Sequence, residues 1–226
     1  MPLQDRLDAF KANFESGGPP FNAPPAVHEP MRRATVELIA SGAAFNALKI
    51  GNEAPEFELE DAEGKRISSV ESLKQGPLVV TFYRGFWCPY CNLELEAIQE
   101  AVGEIEQRGA SIVAISPQTP ANSRRAIREK ELTFPILFDR GNEVAAAFGL
   151  RFRLPDYLIT LYRDGFKNDL TVTNGEPSWT LPMPARFVID QQGSIAYAEV
   201  SPDYTRRPDP SELLPILDHL RQMTAA

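Results

Sequence analysis

Two cysteines are the side chains of this sequence best suited to covalent chemistry. Cys88 and Cys91 are the only cysteines in the chain of 226 residues, and they form a Cys-x-x-Cys motif shortly after the apolar run at residues 78–83. In a reducing compartment, thiols at this spacing serve redox chemistry or metal binding more often than structural disulfides. A disulfide across so short a loop would add little stability, because its effect grows with loop length. We therefore expect a redox-active pair.

The sequence around the pair predicts a helix that begins at Cys88. Apolar side chains follow it in steps of four and three residues: Cys91, Leu95, Ile98, Val102 and Ile105. This spacing indicates one buried helix face. Pro89 suits the first helical position, where its missing N–H would have had no partner. Cys88 is then the predicted N-cap of the helix.

The predicted helix start gives the two thiols different roles. Unpaired backbone N–H groups and the positive end of the helix dipole favour the Cys88 thiolate, so its pKa should be lowered. We expect Cys88 to be the exposed attacking thiolate and Cys91 to be the shielded thiol that resolves the intermediate. Trp87 should shield one side and offer a flat surface to a substrate, with Pro89 and Tyr90 beside it.

Two arginines raise questions that the sequence leaves open. Arg84 ends the predicted strand below the pair, where it could add positive potential near the thiolate or make an ordinary surface ion pair. Arg186 lies in a later predicted strand, where it alternates with Ala185 and Phe187. This alternation does not determine its direction relative to the cysteines.

Metal and cofactor sites are not expected. A structural zinc site needs four ligands, whereas the only histidines, His28 and His219, stand alone near opposite ends of the chain. The sequence contains neither a phosphate-binding glycine loop nor a dinucleotide fingerprint, so no bound flavin or nicotinamide is implied.

Composition and charge limit the partners. The chain has 23 basic and 31 acidic side chains, a formal net charge of -8 and a pI near 4.9. This balance disfavours nucleic acid and anionic membranes, which attract clustered Lys and Arg. The apolar runs are too short to cross a bilayer, and the first residues do not resemble a secretory signal. We expect a cytoplasmic protein.

Residues 1–50 are predicted to form an N-terminal helical extension. Leu3, Leu7, Phe10 and Phe14 recur at helical spacing, and two glycines should end that helix. Residues 16–30 are rich in Gly and Pro and indicate a loop. A second helix is expected from Met31 to about Ala47. This arm is expected to pack on the body of the protein or on another subunit, without a role in catalysis.

Residues 51–226 are predicted to form one α/β domain. Buried strands are expected at residues 78–83, 111–115, 136–138, 186–189 and 195–200, with a small hairpin at residues 57–68 before them. Helices alternate with most of these strands, and Ser211 is expected to cap a closing helix. The pattern predicts a mixed β-sheet flanked by helices on both faces.

Several segments of this domain resemble one known family. They are residues 51–57 (GNEAPEF), the strand and cysteine segment, residues 134–139 (FPILFD), 144–149 (VAAAFG) and 187–193 (FVIDQQG). In this order they are similar to the thioredoxin-like superfamily, and in particular to the peroxiredoxins of the alkyl hydroperoxide reductase C and thiol-specific antioxidant family. The resemblance covers residues 51 to about 220 and implies a thioredoxin-like fold.

The active-site residues match this family only in part. Alignment on the strand places the peroxidatic cysteine of typical peroxiredoxins on Cys91 rather than Cys88. The proline and threonine of their motif fall on Arg84 and Cys88, and their catalytic arginine falls on Pro184. In thioredoxin-like disulfide reductases, however, a cis-proline at the position of Pro184 lies against the Cys-x-x-Cys pair, and Pro184 is therefore expected to shape the substrate groove.

Three functions are consistent with these residues. The resemblance implies a thiol peroxidase that reduces hydroperoxides through a Cys88–Cys91 dithiol–disulfide cycle, with thioredoxin or glutathione as the reductant and a homodimer as the family's common assembly. The Cys-Pro-Tyr-Cys motif with Pro184 favours a protein disulfide reductase or isomerase. The third is a metal-binding or partner-binding protein that uses the same fold without catalysis. On local physical grounds we expect Cys88 to attack first.

Overall fold

The computed structural model describes residues 1–19 and 22–225. The predicted loop at residues 16–30 therefore lies partly outside the described residues. Along the chain the helices are α1 (Leu3–Glu15), α2 (Pro25–Ala40), α3 (Ser69–Leu73), α4 (Pro89–Gln107), α5 (Pro120–Lys130), α6 (Glu143–Ala147), α7 (Asp156–Thr160), α8 (Leu170–Asn174) and α9 (Leu213–Ala225). The strands are β1 (Glu58–Glu60), β2 (Arg66–Ser68), β3 (Leu78–Phe82), β4 (Ser111–Ser116), β5 (Ile136–Phe138), β6 (Arg151–Arg153), β7 (Thr180–Pro182), β8 (Ala185–Ile189) and β9 (Ile195–Val200).

A five-stranded mixed sheet forms the centre of the fold, in the order β5-β4-β3-β8-β9. Strands β3, β4 and β5 run parallel, whereas β8 is antiparallel to both β3 and β9. Every residue of β3 is buried, as its unbroken apolar sequence predicts for a central strand. The predicted α/β class, with helices on both faces, is confirmed.

The two faces of the sheet are covered by different elements. Because side chains alternate along a strand, Val79 faces a core that contains residues of α1, α4, α5 and α9. Leu78, Val80 and Phe82 face a second core, which is completed by α6 and by residues around the β1–β2 hairpin. The apolar stripe predicted for α4 is buried against the first of these cores.

The N-terminal arm differs from the prediction in its second helix. Helix α1 ends as expected, but α2 begins at Pro25 and ends at Ala40, followed by a 3₁₀ turn at Ala43–Asn46. The prolines of this segment predict a loop, yet a proline is also compatible with the first turn of a helix. His28 therefore lies within α2 rather than in a linker. The division of the chain into residues 1–50 and 51–226 stays a prediction.

Helix α1 packs on the body of the protein. Leu3 and Leu7 are fully buried in the same core as Ile98 of α4. Arg6 also pairs with Glu96 of α4 at 3.1 Å. The arm therefore contributes to the main hydrophobic core.

The closing helix is capped by a different residue than predicted. Asp209, rather than Ser211, begins a 3₁₀ turn at Pro210–Glu212 that continues into α9. Its carboxylate accepts a hydrogen bond from the Ser211 amide, and Glu212 completes a capping box. Proline at the first position explains the earlier start.

Residues between α6 and β8 form a small unit outside the central sheet. Strands β6 and β7 pair antiparallel, and α7 continues into a π-helical turn at Leu161–Gly165. Tyr162 on this turn is buried in an apolar cluster with Leu158 and Trp179. Within residues 1–19 and 22–225, every helix is too short or too polar to cross a membrane.

Candidate active site

Strand β3 and helix α4 place the cysteine pair. The chain leaves β3 at Phe82, crosses a short loop and enters α4 at Pro89, which occupies the first helical position as predicted. Cys88 is the N-cap residue, with extended backbone angles, and its carbonyl accepts a hydrogen bond from the Asn92 amide at 3.1 Å. Cys91 lies one turn into the helix, and both thiols are free.

One glycine and two hydrogen bonds fix the loop between β3 and α4. Gly85 has a φ of 146°, which favours glycine, and a Cβ atom there would lie 2.5 Å from Nε1 of Trp87. The Phe86 amide donates to Oε1 of Gln118 at 2.7 Å, and Nδ2 of Asn92 donates to the Phe86 carbonyl at 2.8 Å. The loop is therefore tied to both α4 and the end of β4.

Both thiols are fully buried, so the expectation of an exposed Cys88 is wrong. Arg84 and the aromatic rings of Trp87, Tyr162 and Tyr204 pack around the N-terminus of α4. The local sequence places Cys88 at an open helix start, but residues distant in sequence cover that position.

Arg84 lies inside the site rather than in a surface ion pair. Its side chain is buried, with 4% of its area exposed, and Nη2 lies 3.5 Å from Sγ of Cys88. Nη2 also donates to the hydroxyl of Tyr162 at 3.3 Å. The guanidinium carbon lies 4.0 Å from the ring centroid of Tyr204 and 4.9 Å from that of Trp87. Of the two roles considered for Arg84, the structure supports positive potential beside the thiol.

The two thiols differ strongly in acidity. Burial by itself would raise the pKa of Cys88, but the neighbouring Cys91 thiol and the positive charges of Arg84 and Arg207 lower that pKa well below the usual thiol value. For Cys91, burial and the adjacent Cys88 thiolate raise the pKa. The predicted direction at Cys88 is confirmed, and the backbone amide of Cys91 in the first helical turn also lowers this pKa. Arg84 is the nearest charged contact of the thiol.

A second buried charge cluster lies beside Cys91. Glu94 is fully buried on α4, and its carboxylate pairs with Nη2 of Arg186 at 2.9 Å and with Nε of Arg207 at 2.5 Å. Nη2 of Arg207 lies 3.8 Å from Sγ of Cys91. Arg186 pairs in register with Thr81 of β3, and residues directly opposite in a sheet share a face. The direction of Arg186, undecided from the sequence, is therefore toward α4 and Glu94.

Two cavities meet at Arg84. The first, called here the α1 cavity, has a volume of about 350 Å³. Its walls are largely aromatic: Phe10, Phe14, Trp87, Tyr90, Tyr162, Phe166 and Tyr204, with Pro89 beside them. The second, the α2 cavity, also has a volume of about 350 Å³ and lies between α2 and α7. Arg84, Tyr162 and Tyr204 line both cavities.

The predicted groove residues divide between these cavities. Trp87, Pro89 and Tyr90 line the α1 cavity, whereas Pro184 lines the α2 cavity. The Pro184 carbonyl accepts a hydrogen bond from the Ser201 amide at 2.9 Å. The groove predicted as one surface is thus two spaces separated by Arg84 and its aromatic neighbours.

Sequence reasoning missed four residues of the site: Glu94, Tyr162, Tyr204 and Arg207. Glu94 could have been found from the sequence, because a carboxylate beside Leu95 on the apolar stripe of a helix implies a buried partner. The other three lie in turn-rich segments that show no periodicity. Among the residues that the structure describes, no group of three or more His, Cys, Asp or Glu side chains is placed to hold a metal ion.

Comparisons with known proteins agree with this architecture. Residues 50–198 match the AhpC/TSA family. The chloroplastic peroxiredoxin Q of Triticum aestivum is 28% identical over 198 residues, which cover 87% of this chain and 78% of that protein. The thiol-disulfide oxidoreductase ResA of Bacillus cereus is 25% identical over 175 residues, which cover 72% of this chain and 83% of that protein.

Solved structures show the same fold. The crystal structure of peroxidoxin BcpB from Mycobacterium tuberculosis superposes with a TM-score of 0.60 at 22% identity, and the match covers 78% of this chain and 98% of that chain. A peroxiredoxin 6 mutant from Arenicola marina superposes with a TM-score of 0.59 at 22% identity, covering 79% and 75% of the two chains. The family match spans more than half of the sequence and includes the cysteine pair. The chain therefore belongs to the AhpC/TSA family and is a peroxiredoxin-like thiol oxidoreductase.

Proposed function

We propose that this protein reduces hydroperoxides through a Cys88–Cys91 dithiol–disulfide cycle. The observation that carries the proposal is the pairing of a buried Cys88, which has a lowered pKa, with the guanidinium of Arg84 at 3.5 Å. A thiolate is the nucleophilic form of cysteine. The protonated Cys91 one turn along α4 is the natural second thiol.

The reaction balances in two steps. The Cys88 thiolate attacks the terminal oxygen of the hydroperoxide, the O–O bond breaks, and the alkoxide leaves with a proton from solvent as an alcohol. Cys88 is then a sulfenic acid. Cys91 attacks the sulfenic sulfur, its thiol proton leaves with the hydroxide as water, and a Cys88–Cys91 disulfide remains. An external thiol returns both cysteines to the reduced state.

The α1 cavity is the proposed route for the substrate. Pro89 and Trp87, which flank Cys88, form part of its wall, and Arg84 lies at its end. Phe10 of the N-terminal arm contacts the Tyr90 ring, with the two centroids 5.0 Å apart, so the arm forms part of this wall as well. Pro184 lines the α2 cavity together with Arg84, and its proposed role is to shape that cavity.

The reductant, the location and the assembly are further proposals. Thioredoxin or glutathione would reduce the disulfide, and a pair of free thiols is typical of cytoplasmic proteins.

A homodimer is supported by apolar side chains exposed on and after α2: Val36, Ile39, Phe45 and Ile50. Phe45, which is 80% exposed, is the best test of such a surface, and Phe45→Glu should convert a sedimenting dimer into a monomer. A wild-type protein that sediments as a monomer would contradict the dimer.

Rapid mixing of the reduced protein with hydrogen peroxide tests the peroxidase. Trp87, whose ring lies 4.9 Å from the Arg84 guanidinium, should report oxidation by a change in fluorescence. We expect Cys88→Ser to abolish fast oxidation and Cys91→Ser to stop at a sulfenic acid, detected by dimedone labelling and mass spectrometry. The reverse pattern would make Cys91 the attacking residue, as alignment with typical peroxiredoxins implies.

Disulfide reduction is the second candidate function. It is favoured by the Cys-Pro-Tyr-Cys motif at a helix start and by the similarity to ResA, a thiol-disulfide oxidoreductase. Insulin reduction in the presence of dithiothreitol measures this activity. If insulin is reduced quickly while hydrogen peroxide reacts no faster than with a free thiol, disulfide exchange is the function and the peroxidase proposal is wrong.

A further inference from the structure

Arg84 is a buried cation whose counter-charge belongs to the redox centre. Within residues 1–19 and 22–225, no carboxylate pairs with it, and its polar contacts are Sγ of Cys88 and the hydroxyl of Tyr162. Its Nε is buried without a hydrogen-bond partner among the same residues. The negative charge that balances Arg84 is therefore the Cys88 thiolate.

Disulfide formation removes that charge. A thiolate becomes a neutral sulfur, whereas an arginine stays protonated at any physiological pH. An unpaired buried charge is strongly unfavourable. The neighbouring Arg186 and Arg207 each keep a carboxylate partner in both redox states, because both pair with Glu94. Oxidation thus leaves Arg84 in need of an anion.

The α2 cavity offers a place for such an anion. Its volume of about 350 Å³ is that of a small-molecule site, and apolar side chains form most of its wall: Met31, Ala34, Leu38, Phe152, Leu154 and Leu158. One carboxylate, that of Glu37, lies on the wall, where it already pairs with Arg33 at 2.7 Å and accepts a hydrogen bond from Tyr157 at 2.6 Å. Arg153, also on the wall, pairs with Asp156 at 2.9 Å. Arg84 is therefore the cation of this cavity that lacks a carboxylate among the described residues.

We propose that the α2 cavity binds a small apolar monocarboxylate, and that it does so selectively when Cys88 carries no negative charge. The carboxylate replaces the thiolate as the counter-ion of Arg84, and the aliphatic or aromatic body of the ligand fills the apolar wall. In the cell the switch is the disulfide, so this role rests on the proposed dithiol–disulfide cycle.

The ligand then opposes reduction of the disulfide. A dithiol reductant gives two electrons and one proton to the protein, which converts the disulfide into the Cys88 thiolate and the Cys91 thiol. The reductant becomes a disulfide, its second proton goes to solvent, and the carboxylate leaves. Binding and reduction are linked, because the ligand binds the oxidised protein more tightly than the reduced one. The ratio of these two affinities sets how far the ligand lowers the reduction potential. A carboxylic acid would thus hold the enzyme in its oxidised form.

Calorimetric titration with phenylbutyrate tests the site directly. We expect at least tenfold tighter binding to the oxidised wild-type protein than to the reduced one, and tenfold corresponds to a reduction potential about 30 mV more negative at saturating ligand. Cys88→Ser removes the thiolate without any redox step, so under reducing conditions it should bind phenylbutyrate as the oxidised protein does. Equal affinity of reduced wild type and Cys88→Ser would overturn the inference.

Three controls test the charge, the cavity and the redox cycle separately. The uncharged phenylbutyramide should bind at least tenfold more weakly to Cys88→Ser, and equal binding of amide and acid would overturn the role of Arg84. Ala34→Phe, which fills the cavity, should abolish binding, whereas Val36→Phe on the exposed side of α2 should not. If the wild type forms no disulfide while Cys88→Ser still binds the acid tightly, the peroxidase cycle fails and the counter-ion inference stands.

Discussion

At the residue scale, the reactivity of Cys88 depends on two opposing effects on its thiolate, burial and the nearby positive charge. Cys88 is fully buried, which disfavours its thiolate, yet the contact with Arg84 and the neighbouring Cys91 thiol reverse the balance. Desolvation also strengthens the attraction between thiolate and guanidinium, because fewer water dipoles screen them. A buried thiolate is therefore stable here only as half of an ion pair.

The pH dependence of the Cys88 thiolate follows from this pairing. Because the pKa of Cys88 is lowered, the thiolate should persist from alkaline pH through neutrality and disappear only below the lowered pKa. Peroxide reactivity should follow the same curve, flat above that pKa and falling below it. Ultraviolet thiolate absorbance of Cys91→Ser measures the titration without requiring access to the buried sulfur.

Arg84→Met should move this titration upward, toward the ordinary thiol value of about 8.5. It should also slow peroxide reduction at neutral pH by roughly tenfold or more, since a charge-assisted contact contributes about 1.5–3 kcal/mol. The matched control is Arg125→Met, which removes an arginine that stacks on Phe86 instead, 4.8 Å from the ring centroid. An unchanged titration in Arg84→Met would contradict the ion pair.

Glu94 allows a second test at the residue scale. Glu94→Gln leaves Arg186 and Arg207 without their shared carboxylate, and the loss of one partner from a buried ion pair costs about 3–5 kcal/mol. Urea denaturation measures the free energy of unfolding. Glu96→Gln, two positions along α4, removes a partly exposed carboxylate that pairs with Arg6 and Lys130, so it should cost about 1 kcal/mol or less. Similar losses in both variants would contradict the buried cluster.

At the scale of elements, the loop from β3 to α4 is the feature that sets the geometry of the thiols. The loop is short, and its shape depends on a backbone conformation that glycine adopts readily and other residues rarely. Gln118 at the end of β4 holds it from one side, with Oε1 accepting from the Phe86 amide and Nε2 donating to the Tyr83 hydroxyl at 2.8 Å. The position of Cys88 thus depends on two parallel strands as well as on its own helix.

Two glycine substitutions should have opposite effects. Gly85→Ala places a Cβ atom 2.5 Å from Nε1 of Trp87 in an unfavourable backbone region, so we expect a loss of about 1–3 kcal/mol and altered tryptophan fluorescence. Gly103 lies on the solvent-exposed face of α4, away from the helix ends, and a Cβ atom there would meet no neighbouring atom. Gly103→Ala should therefore stabilise the helix by about 0.5–1 kcal/mol. Thermal unfolding of the two variants measures both. A stabilising Gly85→Ala would show that the loop is not constrained as described.

At the scale of the whole molecule, the N-terminal arm and the site form one structure. Besides burying Leu3 and Leu7 against α4, the arm holds the segment that carries Arg207: the Arg207 amide donates to Oε1 of Gln4 at 3.0 Å, and the Leu3 amide donates to Asp209 at 3.0 Å. Phe10 and Phe14 close one side of the α1 cavity. The arm therefore connects the stability of the fold with the environment of Cys91.

Leu7→Ala tests this connection. Truncating a fully buried leucine should lower the free energy of unfolding by about 2–5 kcal/mol. It should also change the peroxide rate of the folded protein, because α1 would no longer hold Arg207 firmly beside Cys91. The control, Val36→Ala, shortens an exposed side chain of α2 and should change stability by about 0.5 kcal/mol or less. A destabilised Leu7→Ala with an unchanged rate would limit the arm to a structural role.

Much of the central sheet could be predicted because its inner strands are almost entirely buried. Buried parallel strands read as unbroken apolar runs, and β3 and β4 lie at their predicted positions for that reason. Helix α4 was also predictable, since proline and the apolar stripe mark its start and its buried face. Helix starts at Pro25 and Pro210 were missed, because proline ends many segments and begins others.

The pair of thiols, their place at a helix start and the α/β class of the domain were predictable from the amino-acid sequence alone, because local spacing and apolar runs encode all three. The burial of Cys88, its contact with Arg84 and the position of Glu94 between two arginines depend on the packing of distant elements. Arg84 and Tyr162 are 78 positions apart, and Arg207 and Cys91 are 116 apart. Contacts over such separations depend on how the elements pack, so a local sequence pattern cannot predict which arginine lies beside which cysteine.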